Sequence, residues 1–305
     1  MSPDTPDSDT PDAAEADASV RLGYVGLGNI GGPMAARLAK WAGGLTVFDL
    51  SDEAVAKLVD QGATAAGSLR EVAAGADIIG ICVLNDEQVR TVVAGNDGLL
   101  SAAGEGTIIT VHSTISPQTA IELATVCAER GVTLLDAPIS GGAPGAEQGR
   151  LAVMVGGPRE AYQKLKEPFR HCADMIVHAG DEVGAGTKMK LARNLLHFIS
   201  FTAATEASRL AEAAGIDITK LGKVVRHTDA ITGGAGAIML RDTTAEIDHD
   251  DFWYGIFTHV RALGEKDLSL ALALAADLGV ELPLGTQAYA DLARGLGVPH
   301  HEGDS

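Results

Sequence analysis

The sequence contains only three cysteines, Cys82, Cys127 and Cys172, and none of them belongs to a Cys-x-x-Cys pair. So few and widely spaced cysteines argue against a disulfide-stapled scaffold and a structural zinc site. The adjacent His300 and His301 near the acidic C-terminus could bind a metal weakly, but a polar surface segment is the expected interpretation. Free cysteines are typical of a reducing compartment. We therefore expect a cytoplasmic protein that carries no metal.

Basic residues are also scarce, because 23 Lys and Arg stand against 41 Asp and Glu, giving a formal net charge of −18 in 305 residues. Such a chain is repelled by nucleic acids and by anionic membrane surfaces. Uncharged apolar runs of about 18 residues or more, which a membrane-spanning helix needs, are missing from the sequence. Nucleic-acid binding and membrane insertion are therefore not expected.

The first 19 residues contain six acids, no base and three prolines. A segment of this composition cannot bury an apolar core, and it lacks the basic start and apolar stretch of a secretory signal. The sequence predicts a disordered acidic tail over residues 1–19.

From Arg21 to about Val183, short apolar runs alternate with Ala-rich helical stretches. Apolar throughout rather than alternating, several of these runs are typical of parallel strands covered by helices on both faces. The predicted strands are Leu22–Val25, Leu45–Phe48, Ile78–Leu84, Thr107–Val111, Thr133–Ala137, Ala152–Val155 and Met175–His178. The expected fold class is α/β, with a doubly wound parallel sheet in a dinucleotide-binding domain of residues 20–183.

After Gly186 the pattern is helical, which predicts an all-α domain over residues 184–305. The predicted helices are Lys188–Ala214, Ile218–His227, Trp253–Leu278 and Leu284–Gly295. The first of these is apolar on nearly every side between Leu195 and Phe201, so we expect it to be buried between domains or between subunits.

A Gly-x-Gly-x-x-Gly motif, formed by Gly26, Gly28 and Gly31, directly follows the first predicted strand and precedes a helix. In a dinucleotide site the glycines permit a tight turn, a close approach of the pyrophosphate and close helix packing. Asp49 follows the second strand, where a carboxylate binds the adenosine ribose and repels a 2′-phosphate. The pattern favours NAD over NADP, the alternative being a plain structural turn with a surface aspartate.

Four sequence blocks, in this order, resemble the β-hydroxyacid dehydrogenase family, which includes 3-hydroxyisobutyrate dehydrogenase and the 6-phosphogluconate enzymes. The blocks begin at Gly23, Asp136, Gly184 and Lys266 and read GYVGLGNIGGPMA, DAPISGG, GAGTKMKLARN and KDL. The resemblance covers essentially everything after the acidic tail. It implies a Rossmann domain followed by a helical domain, an active site between them, and a homodimer or homotetramer paired through the helical part.

The resemblance also implies roles for individual residues. Lys190 matches the family lysine that exchanges a proton with the substrate alcohol, and Asn194 matches an asparagine that orients substrate or lysine. The substrate-binding set is Ser140, Gly141, Gly142, Lys190, Asn194 and Phe257. The cofactor-binding set is Gly26, Leu27, Gly28, Asn29, Ile30, Asp49, Leu84, Asn85, Ser113, Thr114 and Lys266.

Some positions depart from the family pattern. Arg193 stands where the family commonly has an asparagine, His112 precedes the Ser-Thr pair in place of the usual residues, and Asn85 occupies a common proline position. These departures remove no proposed catalytic group, but they argue against assigning the best-known substrate.

The leading hypothesis is an NAD-dependent dehydrogenase that interconverts a small 3-hydroxy acid and its semialdehyde, with Lys190 as general acid and base. An imine reductase on the same scaffold is a second hypothesis, which Lys190 disfavours because relatives with that activity typically carry Asp or Tyr there. A non-catalytic cofactor-binding protein is the third.

Overall fold

The computed structural model describes residues 20–300, so the predicted acidic tail of residues 1–19 lies outside the described residues. The chain divides into two units, residues 1–192 and 193–305, whose boundary falls inside one long helix. None of the described helices is both long enough and apolar enough to cross a membrane.

The first unit is built on a nine-stranded sheet. Its strands are β1 (Leu22–Val25), β2 (Leu45–Phe48), β3 (Thr64–Ala65), β4 (Ile78–Ile81), β5 (Ile108–Val111), β6 (Thr133–Asp136), β7 (Ile139–Ser140), β8 (Leu151–Gly156) and β9 (Ala173–Gly180). The order is β3-β2-β1-β4-β5-β6-β8-β7, and β9 pairs with β8. All pairs from β3 to β6 are parallel, and so is the β8–β9 pair.

Helices lie in most of the connections between strands, as the crossovers of a parallel sheet require. They are α1 (Gly31–Leu38), α2 (Asp52–Val59), α3 (Leu69–Gly75), α4 (Asp86–Ala94), α5 (Pro117–Ala128), α6 (Gly142–Gln148) and α7 (Arg159–Phe169), with a 3₁₀ turn at Leu99–Ser101. Two large apolar clusters are buried in this unit, one containing Tyr24 and Met34 and the other Ile79 and Leu123. The predicted α/β class with a Rossmann-like, mostly parallel sheet is confirmed.

The sheet differs from the prediction at its far edge, where β8 is antiparallel to both β6 and β7. β6 and β7 pair with β8 in one continuous register, with Asp136 opposite Gly156, Ile139 opposite Val153 and Ser140 opposite Ala152. The chain therefore runs in one direction through β6 and β7 and reverses through α6 into β8. The predicted strand Ile78–Leu84 ends early at Ile81.

The second unit is helical, as predicted. After α8 (Ala185–Ala213), which crosses the boundary between the units, come α9 (Ile218–Thr232), a 3₁₀ turn at Gly234–Gly236, α10 (Phe252–Leu278) and α11 (Pro283–Leu296). Helices α10 and α11 pack together, and a small buried cluster joins Ile247, Phe257, Leu296 and Val298.

Candidate active site

The glycine-rich loop between β1 and α1 owes its conformation to two glycines. Gly26 has φ of +91°, and a Cβ there would overlap the carbonyl oxygen of Cys82. A Cβ on Gly31 would overlap the carbonyl oxygen of Gly26. In contrast, an added Cβ on the exposed Gly28 would meet no described atom within 4 Å. The outer two glycines thus permit the turn, and the middle one leaves its backbone open to a ligand.

Asp49, at the end of β2, is tied to this loop. Its Oδ2 accepts a hydrogen bond from Leu27 N at 2.6 Å, and its Oδ1 accepts one from Ser51 N at 2.8 Å. Because an ionised carboxylate has about four acceptor sites, it can also accept hydrogen bonds from ribose hydroxyls. Asp49 therefore joins β2, the glycine-rich loop and the start of α2 at the predicted adenosine end.

A cavity of about 680 Å³ lies beside the loop, between α1 and α2. Leu27, Gly28 and Asn29 line it on the loop side, and Ser51 lines it at the start of α2. Three basic side chains, Arg37, Lys40 and Lys57, also line it, although Lys57 forms an ion pair with Glu53 at 2.7 Å.

The carboxyl ends of β4 and β5 are joined by Ser113. Its hydroxyl donates to Val83 O at 2.7 Å and accepts from Val83 N at 2.9 Å. This N–H bond to a side chain explains why β4 stops before Val83. Asn85 caps α4 by accepting from Gln88 N, and both Leu84 and Thr114 are exposed at this edge.

His112, one of the departures from the family pattern, is fully buried at the end of β5. Its Nδ1 lies 2.8 Å from Ala137 O and its Nε2 lies 3.1 Å from Thr110 Oγ1, and its ring stacks on Tyr24. Because the carbonyl can only accept, Nδ1 carries the proton and Nε2 accepts from the threonine hydroxyl. Burial lowers the pKa of His112 to about 4, so the ring is neutral at physiological pH.

The β6–β7 segment carries the predicted substrate-binding residues. Ser140 is half-buried and pairs with Ala152 of β8. Gly141 and Gly142 follow with φ of +127° and +63°, conformations that favour glycine, and both are exposed. Ser140 and the two glycine backbones therefore lie together on one short turn at the start of α6.

Asp136 ends β6, and its side chain is completely buried. Its Oδ1 accepts from Gly184 N and its Oδ2 accepts from Thr187 N, each at 2.6 Å, at the start of α8. Burial raises the pKa of Asp136, and the two backbone N–H groups oppose that rise. Asp136 is not among the site residues expected from the sequence. A carboxylate at the end of an otherwise apolar strand is the signal that marks it.

Lys190 lies in the second turn of α8 and is only 8% exposed, whereas its neighbours Lys188 and Met189 are exposed. Lysine is rarely buried to this extent, because an ammonium group is costly to remove from water. Lys190 therefore differs from the exposed Lys188, the other lysine of α8, and its burial makes it a candidate for proton transfer.

The remaining predicted residues belong to the second unit. Asn194 accepts a hydrogen bond from Arg193 Nη1 at 3.3 Å. Phe257 is buried against Trp253, with ring centroids 5.9 Å apart. Lys266 is exposed, and its Nζ lies 3.0 Å from Asp267 Oδ1, so these neighbours form an ion pair.

Two family models together match nearly all of the chain after the tail. Residues 21–180 match the NAD binding domain of 6-phosphogluconate dehydrogenase, and residues 184–303 match the NAD-binding domain of NADP-dependent 3-hydroxyisobutyrate dehydrogenase. An uncharacterized oxidoreductase of Mycobacterium tuberculosis is 56% identical over 280 residues, covering 92% of this chain and 94% of the relative.

Two further similarities cover the chain to the same extent. A 3-hydroxyisobutyrate dehydrogenase of Pseudomonas aeruginosa is 35% identical, covering 93% of each chain. A crystal structure of an oxidoreductase from Mycobacterium avium is 56% identical with a TM-score of 0.88, covering 92% of this chain and all of that one. The chain thus belongs to the β-hydroxyacid dehydrogenase family of NAD-binding oxidoreductases, as the sequence blocks predicted.

Proposed function

We propose that this protein is an NAD-dependent dehydrogenase that interconverts a small 3-hydroxy acid and its semialdehyde, with Lys190 as general acid and base. The burial of Lys190 at the start of α8 is the observation that carries this proposal. When bound, the nicotinamide cofactor supplies or accepts the hydride. In the reductive direction the Lys190 ammonium gives a proton to the substrate oxygen, and in the oxidative direction the neutral amine takes it back.

The chain's own groups are suited to NAD. The open backbone at Gly28 allows the pyrophosphate to approach, and the N-terminus of α1 follows the loop directly. Asp49 favours a ribose with free hydroxyls, and the next two residues, Leu50 and Ser51, offer no cation for a 2′-phosphate. We expect the protein to have a higher kcat/KM with NAD than with NADP. Asp49→Ser should reduce the ratio of these two kcat/KM values. A higher kcat/KM with NADP in the unaltered protein would overturn the assignment of NAD.

We assign the remaining cofactor contacts to the loop residues Asn29 and Ile30 and to the strand ends at Leu84, Asn85, Ser113 and Thr114. Ser140 and the glycine backbones that follow it are suited to a substrate carboxylate, because a hydroxyl and N–H groups are good oxyanion donors. Roles for Asn194, Phe257 and Lys266 rest on the family resemblance alone. The division into domains of residues 20–183 and 184–305 and the cytoplasmic location also stay predictions.

The first experiment is a turnover panel followed at the NADH absorbance. NAD or NADP is offered with 3-hydroxyisobutyrate, 3-hydroxypropionate, 3-hydroxybutyrate, 4-hydroxybutyrate, glycerate and serine. Turnover of one or two of them supports the reaction class and identifies the substrate group. Intact NADH binding without turnover of any compound would contradict the proposal and favour an imine reductase or a non-catalytic protein.

Lys190→Ala tests the acid and base directly, and Lys188→Ala is its matched control on an exposed turn of the same helix. We expect Lys190→Ala to abolish turnover while NADH still binds, and Lys188→Ala to leave kcat unchanged. Retained turnover in the Lys190 variant would overturn the assignment.

We also propose that the protein self-associates through α8. Leu195, Phe198 and Phe201 follow one another at three-residue intervals and are 64%, 60% and 54% exposed. An exposed apolar stripe of this kind marks an association surface. A dimer or tetramer in sedimentation velocity supports the proposal, and a monomer at micromolar concentration contradicts it.

A further inference from the structure

Asp136 connects the two parts of the first unit on which the proposed chemistry depends. Its backbone leads through Ala137, Pro138 and Ile139 into Ser140, the first of the proposed substrate-binding residues. Its side chain binds the backbone at Gly184 and Thr187, and Lys190 lies three residues beyond Thr187 in the same helix. Asp136 therefore ends the strand that leads into the segment proposed to hold the substrate, and it also hydrogen-bonds the helix that carries the proposed proton donor.

The Asp136 carboxylate holds the start of α8 through two short hydrogen bonds. Both hydrogen bonds are 2.6 Å long, as expected where the acceptor is an ionised carboxylate. A negative charge is also favourable beside the first N–H groups of a helix, where the helix dipole is positive. Because each carboxylate oxygen binds a different N–H group, the side chain restrains both the position and the rotation of the first turn of α8.

The first turn of α8 packs closely against the surrounding backbone. A Cβ on Gly156 of β8 would overlap Asp136 Oδ1 and would lie 2.6 Å from Gly186 N. A Cβ on Gly186 would overlap Met154 O and would lie 2.6 Å from Asp136 O. The start of α8 is thus packed directly on the backbones of β6 and β8, with the Asp136 carboxylate between them.

We propose that Asp136 is a positioning residue that fixes Lys190 relative to the Ser140–Gly142 segment by holding the first turn of α8 against the end of β6. The inference rests on the proposed function, since it assigns to Asp136 a role in the reaction of Lys190. It does not make Asp136 a catalytic residue.

Asp136→Asn is the first variant. Its single amide oxygen can accept from only one of the two N–H groups, and its amide nitrogen then faces the other, donor against donor. A displacement of about 1 Å can lower the rate by about 100-fold, so we expect kcat to fall by about 10- to 100-fold. The dissociation constant for NADH should not change, because the glycine-rich loop is left intact.

Glu206→Gln is the matched control. Glu206 is also a buried carboxylate that holds the start of a helix, accepting from Leu284 N at 2.9 Å and from Gly285 N at 3.0 Å at α11. Both variants should lower the melting temperature, and only Asp136→Asn should lower kcat at a temperature where both are folded and assembled like the unaltered protein. Equal kcat values in the two variants would overturn the proposal.

A second comparison separates positioning from general damage. In Lys190→Ala, a free amine such as methylamine added to the buffer can replace the lost ammonium without being attached to α8. We expect Asp136→Asn to lower kcat when Lys190 is present and to cause no further loss in the amine-rescued Lys190→Ala protein, since coupled residues are not additive. An equal loss in both backgrounds would show that Asp136 does not act through Lys190.

Thr187→Pro provides the same test from the helix side if Asp136→Asn does not fold, and it does not depend on amine rescue. Proline removes the N–H group bound by Asp136 Oδ2, at a first-turn position that makes no intrahelical N–H bond, whereas Thr187→Val keeps that N–H group. The proposal requires a lower kcat in Thr187→Pro than in Thr187→Val, and it fails if the two are equal. Inactivity of the unaltered protein on every substrate would instead refute the proposed function.

Discussion

The two units of the chain differ in how well each covers its own apolar side chains. In the first unit, residues such as Tyr24, Ile79 and Leu135 are completely buried on the two faces of the sheet. In the second unit the buried apolar cluster contains Ile247, Phe257, Leu296 and Val298, and helix α9 has no buried residue. The sheet of the first unit is covered by its own helices, whereas the helices of the second unit leave large apolar side chains exposed.

Exposed apolar residues make the same point. Ile231 on α9, Leu270 on α10 and Phe198 on α8 are 72%, 62% and 60% exposed. On α8, Leu195 and Phe201 are exposed on the turns on either side of Phe198, and contiguous exposed apolar patches are rare on monomeric proteins. Under the proposed self-association, the first unit depends on its own core and the second on a partner surface.

The largest effect should come from a charge on α8. Phe198→Asp places a carboxylate on the proposed association surface, where burial of an unpaired charge costs several kcal/mol. We expect sedimentation velocity to show a monomer. Val59→Asp, on the first unit, is the control, because Val59 is also apolar and 42% exposed and should leave assembly unchanged. The same oligomeric state in both variants would contradict the proposed difference between the units.

A core truncation should have the next largest effect. Ile79→Ala empties part of the buried cluster on one face of the sheet, and substitutions of this kind cost about 2–5 kcal/mol. Urea unfolding should show this loss at every protein concentration. Ile231→Ala should instead lower the unfolding free energy by an amount that grows as the protein concentration is raised. This dependence is expected because a partner's contribution to stability follows mass action. A loss for Ile79→Ala that varied with concentration would contradict the independence of the first unit.

Strands that the first unit buries on both faces carry the clearest sequence signal. Leu22–Val25 and Leu45–Phe48 are apolar because both faces are covered, and the structure has both strands with these bounds. Strands β3 and β7 have two residues each, too few for a periodic pattern, and were not predicted. The predicted end of α10 at Leu278 matches the structure, in which Gly279 adopts φ of +66° just after the last helical residue.

The candidate site was predicted less completely. The Gly26–Gly31 loop and Asp49 carry local signals, since their spacing after a strand is itself the motif. The contact between Asp136 and the start of α8 joins residues 48 and 51 positions apart in the sequence, and no local pattern predicts it. His112 was noted only as a departure, because its burial depends on Tyr24 and Phe169 from other parts of the fold.

The buried His112 of the first unit predicts an acid-sensitive stability. Its pKa is about 4 in the folded protein, against an ordinary value of about 6.5. Between those pH values the unfolded chain binds a proton that the folded chain does not, so stability falls as the pH falls through this window. Urea unfolding of His112→Phe should show a shallower loss from pH 7 to pH 4, by on the order of 3 kcal/mol. Parallel pH profiles for the two proteins would contradict this role.

Helix capping offers the smallest and most local test of the contrast. Ser51 caps α2 by accepting from Ala54 N, and α2 is anchored in the first unit by the buried Leu58. Ser51→Ala should lower the unfolding free energy of this unit by about 1 kcal/mol. Asp217 caps α9, and its hydrogen bonds from the Thr219 hydroxyl and N–H lower the pKa of its carboxylate.

Helix α9 has no buried residue to hold it, so the loss of its cap in Asp217→Ala should affect that helix alone. We expect faster amide hydrogen exchange across α9 and unchanged exchange in the first unit. A carboxylate with a lowered pKa stabilises the folded state above its ordinary pKa and loses that effect as the pH falls through the folded value. The difference in exchange between Asp217→Ala and the unaltered protein should therefore be present at pH 7 and shrink in acid. A cap effect that spread to the strands of the first unit would mean that the two units unfold together.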